Sequence, residues 1–112
     1  MAEQPADAVF FALADATRRA VLRRLSDEGA LTATTLAAGL PISRQAVGKH
    51  LAALTAAGLV SVVREGRERR YRLTPEPLHD AVEWVAQIGA RWDVRLARLQ
   101  RRLAQEHTPT SR

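Results

Sequence analysis

The sequence predicts a mainly α-helical fold that contains one small β-hairpin. Apolar residues recur with the helical period of about 3.6 up to Gly58 and again after Pro77, which indicates helices in both parts of the chain. Between these parts the period changes to two, and a short β-branched run followed by a glycine turn indicates two paired strands. With 112 residues, of which 46% are hydrophobic and 26% charged, the chain suits a single globular domain. We expect this domain to span residues 1–106 and a disordered polar tail to span residues 107–112.

The first two helices each have one apolar face. The first helix is predicted from Pro5 to Leu13, and its apolar stripe consists of Val9, Phe10 and Leu13. Asp15 suits the N-cap of the second helix, because its carboxylate can accept a hydrogen bond from a free N–H group of the first turn. Gly29 indicates where this helix ends. The residues that form its apolar face are Val21, Leu22 and Leu25.

A short third helix and a longer fourth helix follow. Thr32 or Thr34 can cap the third helix, which is predicted to end at Gly39. Ser43 is a strong N-cap for the fourth helix, and Gly58 supplies the glycine that commonly follows a helix end. The residues spaced to face the core from the fourth helix are Val47, Leu51 and Leu54.

The hairpin and the last helix complete the predicted fold. Residues 59–64 and 69–73 are predicted strands, and residues 65–68 form the turn between them. The last helix is predicted over residues 78–105. Its apolar positions alternate between spacings of four and three, which is the heptad pattern of a helix that packs against another helix along its length. The seam residues are Leu78, Val82, Val85, Gly89, Trp92, Leu96, Leu99 and Leu103.

Two helices joined by a tight turn and followed by a hairpin have the order and spacing of a winged helix-turn-helix. In this arrangement the fourth helix enters the major groove of DNA, and its face away from the core lacks bulky apolar side chains. Arg44 and Gln45 are the expected base readers, since arginine can bridge two acceptors of guanine and glutamine can bridge adenine. Lys49 is expected to read bases or bind phosphate, and Ser43 suits a phosphate oxygen together with the free N–H groups of the first turn.

Gly48 lies on the same face, in the middle of the fourth helix. Glycine at such a position costs about 1 kcal/mol relative to alanine. Close approach to a base or to the DNA backbone would compensate for this cost, and chance substitution at a tolerated surface position is the alternative. We include Gly48 among the expected major-groove residues.

The charge distribution also favours a polyanion as the partner. Residues 44–72 contain seven basic and two acidic residues, so this stretch carries the whole formal net charge of +5. The hairpin residues expected to contact the minor groove or phosphates are Arg64, Arg67, Arg69 and Arg70. A charged strand edge that prevents aggregation is the alternative. Residues 1–43 contain four arginines and five acids, so we expect those arginines to pair within the protein.

Several functional classes are disfavoured by the composition. The chain has no cysteine, which excludes disulfides, thiolate metal sites and cysteine nucleophiles. It has no glycine-rich phosphate loop and no Ser/His/acid grouping, so nothing supports an enzyme. No apolar run reaches the roughly 18 residues of a membrane helix, and the first residues lack a basic secretory segment, so we expect a cytoplasmic protein without membrane contact. His79 and Glu83 could form a metal pair but lack further ligands, so we expect no metal and no other cofactor.

The last helix is too long for a chain of this size to cover over its whole length. An exposed leucine and tryptophan seam predicts a partner, and a second copy is the commonest one. Two-fold symmetry would also place the two fourth helices about 34 Å apart, which is one turn of DNA. The seam residues expected in the dimer interface are Val85, Trp92, Leu96, Leu99 and Leu103.

Four segments carry a family resemblance: residues 15–22 (DATRRAVL), 43–54 (SRQAVGKHLAAL), 57–60 (AGLV) and 64–73 (REGRERRYRL). Together they resemble the ArsR family of winged-helix repressors, and the resemblance extends over about residues 10–103. It implies a homodimer built from the first and last helices that binds an inverted repeat in a promoter and represses transcription. The first-helix residues that it adds to the expected interface are Val9, Phe10 and Leu13.

The chain resembles the branch of this family without metal ligands. Metal-sensing members use cysteines beside the third helix, or acid and histidine ligands on the last helix, where this chain has Pro77 and Ala90. Serine is usual in the family at the position of Gly48. The alternative function is a winged-helix adaptor that binds protein without DNA specificity, and it predicts an apolar or acidic face on the fourth helix. An RNA binder would carry stacking aromatics on a sheet, whereas aromatic residues are only 4% of this chain.

Overall fold

The computed structural model describes residues 5–106 of the chain. Its elements in chain order are α1 (Pro5–Leu13), α2 (Ala16–Glu28), α3 (Ala33–Ala38), α4 (Arg44–Ala56), β1 (Val60–Glu65), β2 (Glu68–Leu73) and α5 (Glu76–Glu106). The predicted mainly helical fold with a single hairpin is therefore confirmed. The predicted tail over residues 107–112 lies outside the described residues.

The chain divides into two compact units, with the boundary inside α5 between Ala81 and Val82. The first unit has a core of its own, to which α1 to α4 and the start of β1 contribute. The largest fully buried side chains of this core are Val9, Val21, Leu36, Val47, Leu51, Leu54 and Leu59. No polar or charged side chain is buried in the part of the chain that the structure describes. The three α4 residues predicted to face the core are all among the buried ones, which fixes the opposite face of α4 toward solvent.

Short polar side chains cap the N-termini of α2, α3 and α4, as the sequence predicts. Asp15, Thr32 and Ser43 each accept a hydrogen bond of 3.0–3.1 Å from the backbone N–H three residues later. Of the two threonines able to cap α3, the structure uses Thr32. Gly29 and Gly58 follow α2 and α4 with φ angles of 86° and 77°, which glycine adopts without a steric cost.

The hairpin is attached to the helical part of the first unit. Its strands pair antiparallel from Val60 with Leu73 to Glu65 with Glu68, so the turn is two residues shorter than predicted. Beyond these strands, the backbones of Leu31 and Tyr71 exchange hydrogen bonds of 3.0 and 2.8 Å. The segment between α2 and α3 therefore lies along β2 and holds the hairpin beside α3.

The second unit consists of α5 from Val82 onward, and its large apolar side chains are uncovered. Their exposed fractions range from 37% to 64%. The residues are Val82, Trp84, Val85, Ile88, Trp92, Val94, Leu96, Leu99 and Leu103. Despite this apolar surface, none of the helices within residues 5–106 combines the length and the apolarity needed to span a bilayer.

Candidate nucleic-acid interface

The first turn of α4 presents the predicted base readers to solvent. Arg44, Gln45 and Lys49 are exposed, whereas Val47 on the other side of the helix is fully buried. Ser43 is also exposed, and its oxygen accepts the capping hydrogen bond from the third residue beyond it. Because a hydroxyl is both donor and acceptor, its proton stays available for a phosphate oxygen. All four side chains are therefore exposed, Ser43, Arg44 and Gln45 at the start of α4 and Lys49 in its second turn.

Gly48 lies on this exposed face, and the protein does not require glycine there. A Cβ built at Gly48 would have no atom within 4 Å. Its backbone is helical, without the positive φ that favours glycine. The cost of glycine in this helix is therefore not compensated by any contact within the described chain.

The strand register divides the hairpin arginines between two faces. Side chains alternate along a strand, and directly paired residues share a face. Arg64 pairs with Arg69 on one face, whereas Arg70 lies on the opposite face together with the paired residues Glu65 and Glu68. Within residues 5–106, Arg64 and Arg69 form no ion pair and both are exposed.

Arg70 is the hairpin arginine with carboxylate partners. Its Nη2 lies 3.0 Å from Oε2 of Glu68, and its Nε lies 3.3 Å from Oε2 of Glu65. Its Nη1 donates a 3.5 Å hydrogen bond to the carbonyl oxygen of Ala30. The Nε is buried and is not aligned for a hydrogen bond, so its contact with Glu65 is electrostatic. The two acids of the hairpin are thereby neutralised from within the hairpin.

A cleft of about 510 Å³ separates the start of α4 from the hairpin, with the first turn of α3 at its side. We call it the cationic cleft. The charged residues that line it are three arginines, Arg44, Arg67 and Arg69, and one acid, Glu68. Tyr71 also lines the cleft and is half-buried, since it packs against the core. One expected base reader and two expected hairpin contacts therefore share a single concave surface.

Three of the four arginines of α2 contact other groups of the protein, as the local charge balance predicts, whereas Arg23 is exposed and forms no ion pair with a described residue. Arg18 and Arg19 each donate a 2.7 Å hydrogen bond to a carbonyl oxygen in the last turn of α1. Arg24 lies 2.8 Å from the carboxylate of Glu28 and also donates to carbonyl oxygens of α3. The hydrogen bond between these side chains raises the pKa of Arg24 and lowers the pKa of Glu28. A Cβ at Gly39 would lie 2.6 Å from this guanidinium, so a larger residue there would displace the end of the Arg24 side chain.

His50 connects α4 to the start of α2. Its Nδ1 lies 4.0 Å from Oδ1 of Asp15, and its side chain is 22% exposed. The backbone N–H of Arg18 lowers the pKa of Asp15 by hydrogen bonding to its carboxylate, and the charge of His50 acts in the same direction. This position at the edge of the core gives His50 a structural contact and no catalytic neighbour among the described residues.

One α1 residue that was expected in the dimer interface is inaccessible, and another residue of the same helix is exposed instead. Val9 has no exposed surface, because it lies in the core of its own chain. Phe10 and Leu13 are half-buried against that core. Phe11 is 76% exposed, and the guanidinium carbon of Arg18 lies 5.8 Å from the centre of its ring. Phe11 therefore replaces Val9 among the residues of α1 that a second copy can contact.

The expected interface residues of α5 are all accessible. Val85, Trp92, Leu96, Leu99 and Leu103 are each between 37% and 55% exposed.

In the portion of the chain covered by the structure, no three His, Cys, Asp or Glu side chains lie close enough together to hold a metal ion.

Comparison with known proteins gives consistent matches. A helix-turn-helix domain family matches residues 13–63. The uncharacterized HTH-type transcriptional regulator YuzN of Bacillus subtilis is 41% identical over 70% of this chain and 94% of its own. The transcriptional repressor SdpR of the same species is 35% identical over 69% of this chain and 84% of its own.

Solved structures agree with these matches. An ArsR-like transcriptional regulator from Rhodococcus sp. RHA1 is 44% identical, covers 87% of this chain and 91% of its own, and has a TM-score of 0.74. A homodimeric winged helix-turn-helix DNA-binding domain from Mycobacterium bovis, described as a possible ArsR-family regulator, is 26% identical with a TM-score of 0.61. That match covers 80% of this chain and 82% of the other.

Proposed function

Because this chain belongs to the ArsR family of winged helix-turn-helix transcriptional regulators, we propose that it represses transcription as a homodimer bound to an inverted-repeat operator. The family is one of DNA-binding regulators and not of enzymes. The observation that carries the proposal is the pair Arg44 and Gln45, which are exposed at the start of a helix whose other face is buried in the core. Repression is supported by the relative from B. subtilis that bears the name of a repressor.

The cationic cleft supports a specific arrangement on DNA. With α4 in the major groove and the hairpin in the adjacent minor groove, the sugar-phosphate backbone between the grooves passes over the cleft. Arg67 and Arg69 then lie beside phosphates, which position the protein without reading sequence. Arg44 reaches a guanine from the first turn of α4, and Gln45 and Lys49 supply the further major-groove contacts.

The uncovered side chains of α5 support the homodimer. Apolar surface contributes roughly 25 cal/mol per Å² when it is removed from water, so an exposed seam with one valine, one tryptophan and three leucines favours association. A second copy supplies a matching seam, and the homodimeric relative from M. bovis supports this choice of partner. We propose that the interface comprises Phe10, Phe11 and Leu13 of α1 with Val85, Trp92, Leu96, Leu99 and Leu103 of α5.

Footprinting of the DNA upstream of the chain's own gene tests this proposal. We expect two protected half-sites, related by two-fold symmetry and about 10 base pairs apart from centre to centre. A reporter placed behind this DNA should be transcribed less when the protein is present. Protection of a single half-site would contradict the dimer, and increased transcription would contradict repression.

No observation favours the adaptor without DNA specificity. The exposed face of α4 carries Arg44, Gln45 and Lys49 and not the apolar or acidic side chains that such an adaptor requires. We propose further that the protein works in the cytoplasm without a metal cofactor.

A further inference from the structure

The tip of the hairpin contains an unfavourable pair of acids. Glu65 and Glu68 are directly opposite each other in the strand register. Like charges at directly paired positions destabilise a hairpin. Arg70 follows Glu68 by two residues, so it lies on the same face and diagonal to Glu65. Its guanidinium contacts both carboxylates, at 3.0 and 3.3 Å.

We infer that Arg70 is a positioning residue, which neutralises these two acids and holds the hairpin in place, and that Arg64 and Arg69 on the opposite face contact phosphates together with Arg67 of the turn. The inference rests on the proposed DNA-binding function. It reassigns Arg70, which the sequence predicts as a DNA contact, and it divides a run of similar arginines into two roles.

The contacts of Arg70 reach beyond the hairpin. Its Nη1 donates to the carbonyl oxygen of Ala30 at 3.5 Å. The next residue, Leu31, is paired with Tyr71 through two backbone hydrogen bonds. Arg70 therefore fastens the hairpin tip to the same segment that holds β2 beside α3. Each nitrogen of its guanidinium lies within 3.5 Å of a protein oxygen, so a DNA phosphate would have to compete with these contacts.

On the opposite face of the hairpin, the directly paired like charges are positive. Arg64 and Arg69 are directly paired like charges, and among the residues with a described placement neither has a carboxylate partner. A phosphate between them would relieve their repulsion, because one anion can accept from both guanidinium groups. Arg69 also lines the cationic cleft, where the proposed DNA backbone passes.

The salt dependence of DNA binding distinguishes the two roles. Arg69→Ala is the matched control for Arg70→Ala, since the two arginines are adjacent on opposite faces of one strand. Binding to a labelled duplex of mixed sequence is measured by fluorescence anisotropy over a series of NaCl concentrations. Arg69→Ala should reduce the slope of log K against log salt by about 0.9, the value for one phosphate contact. Arg70→Ala should leave the slope unchanged while lowering the affinity about two- to tenfold, because the two carboxylates are then no longer neutralised and the hairpin that carries the phosphate contacts is less well held. An equal loss of slope in both variants would overturn the inference.

Removal of the acids should rescue the loss of Arg70. In a Glu65→Gln/Glu68→Gln background the two glutamines need no neutralisation, so adding Arg70→Ala should change the affinity by less than about twofold. A purely structural loss of packing would not be rescued in this way. If Arg70→Ala lowers the affinity equally in both backgrounds, Arg70 does not act through the acids and the inference is wrong.

Thermal unfolding gives a readout that does not depend on DNA. Arg70→Ala should lower Tm, because it releases the Glu65–Glu68 repulsion, whereas Arg69→Ala should leave Tm unchanged or raise it. A Tm for Arg70→Ala at or above that of Arg69→Ala would overturn the inference. If the wild-type protein binds no duplex even at low salt, the proposed function fails, and the Tm comparison still decides whether Arg70 stabilises the hairpin.

Discussion

The two units of the chain differ in how far their apolar side chains are buried. In the first unit the large aliphatic residues of α2, α3 and α4 are buried, and Leu36 and Leu51 have no exposed surface. In the second unit Trp92 and Leu99 are more than half exposed. The first unit is therefore folded by its own core, whereas the second presents a surface that a second copy can cover. This difference implies that stability, dimerisation and base reading can each be disrupted by a separate substitution.

The largest effect on folding should come from a cavity in the first core. Leu51→Ala removes a fully buried side chain of α4, and we expect the free energy of unfolding to fall by about 2–5 kcal/mol in urea denaturation. The adjacent Ala52→Ser is the control, because this exposed position should change stability by less than about 0.5 kcal/mol. A loss below about 1 kcal/mol for Leu51→Ala would show that the core is not closed as described.

The next largest effect should come from a charge in the seam of α5. Leu96→Lys should convert the dimer into a monomer, because a lysine ammonium cannot be buried against the partner's seam without a compensating charge. Its affinity for operator DNA should fall about a hundredfold or more, since the two half-sites are then bound independently. Sedimentation velocity measures the change in mass.

Ala97→Lys tests whether the position in the seam matters. It adds the same charge one residue later, outside the heptad seam, and should leave the dimer intact. If the Leu96→Lys protein is still a dimer, the assignment of the seam as the interface is wrong.

A smaller and more local effect is expected at the start of α4. Arg44→Ala should cost about 1–3 kcal/mol at one base pair and relax the preference at that position. Arg67→Ala at the hairpin turn should instead weaken binding to all sequences and reduce the salt slope by about one. Titrations of operator and random duplexes separate these outcomes. Equal losses on both duplexes for Arg44→Ala would reject Arg44 as a base reader.

The smallest effect concerns acid stability. The pKa values of Asp15 and Glu28 are lowered in the folded protein, chiefly by hydrogen bonds from the Arg18 backbone and the Arg24 side chain. Their stabilising contributions are therefore complete above the ordinary carboxyl pKa and are lost as the pH falls through the lowered values. Asp15→Asn and Glu28→Gln, which do not titrate, should flatten the loss of Tm at acidic pH. An acid profile identical to that of the wild type would exclude these carboxylates as its source.

Local signals predicted most of the first unit. Ser43 is a short hydroxyl before a helical period, and Val47, Leu51 and Leu54 share one helical face, so both the cap and the buried face of α4 were predictable. The choice between Thr32 and Thr34 was not, because either can cap a helix that begins within two residues. Likewise, α1 contains three consecutive apolar residues, Val9, Phe10 and Phe11, and the sequence alone does not show which of them faces the core.

The separate roles of the hairpin arginines depend on contacts that the sequence composition does not specify. The hairpin arginines look equivalent in sequence, and only the strand register separates Arg69 from Arg70. A signal was available, since Glu65 and Glu68 flank a Gly-Arg turn that suits a two-residue hairpin loop, and Arg70 then falls on the acidic face. The bond from Arg70 to Ala30 joins segments 40 residues apart in sequence, and no local pattern predicts it.

We propose above all that two copies of this chain bind one DNA duplex through α4 and the hairpin. A stoichiometric titration of the purified protein with DNA from its own upstream region, repeated at several salt concentrations, tests it most directly. The account predicts two chains per duplex, an affinity that falls steeply with salt, and weaker binding to a random duplex of the same length. Failure to bind any duplex at low salt, or saturation with one chain per duplex, would contradict it.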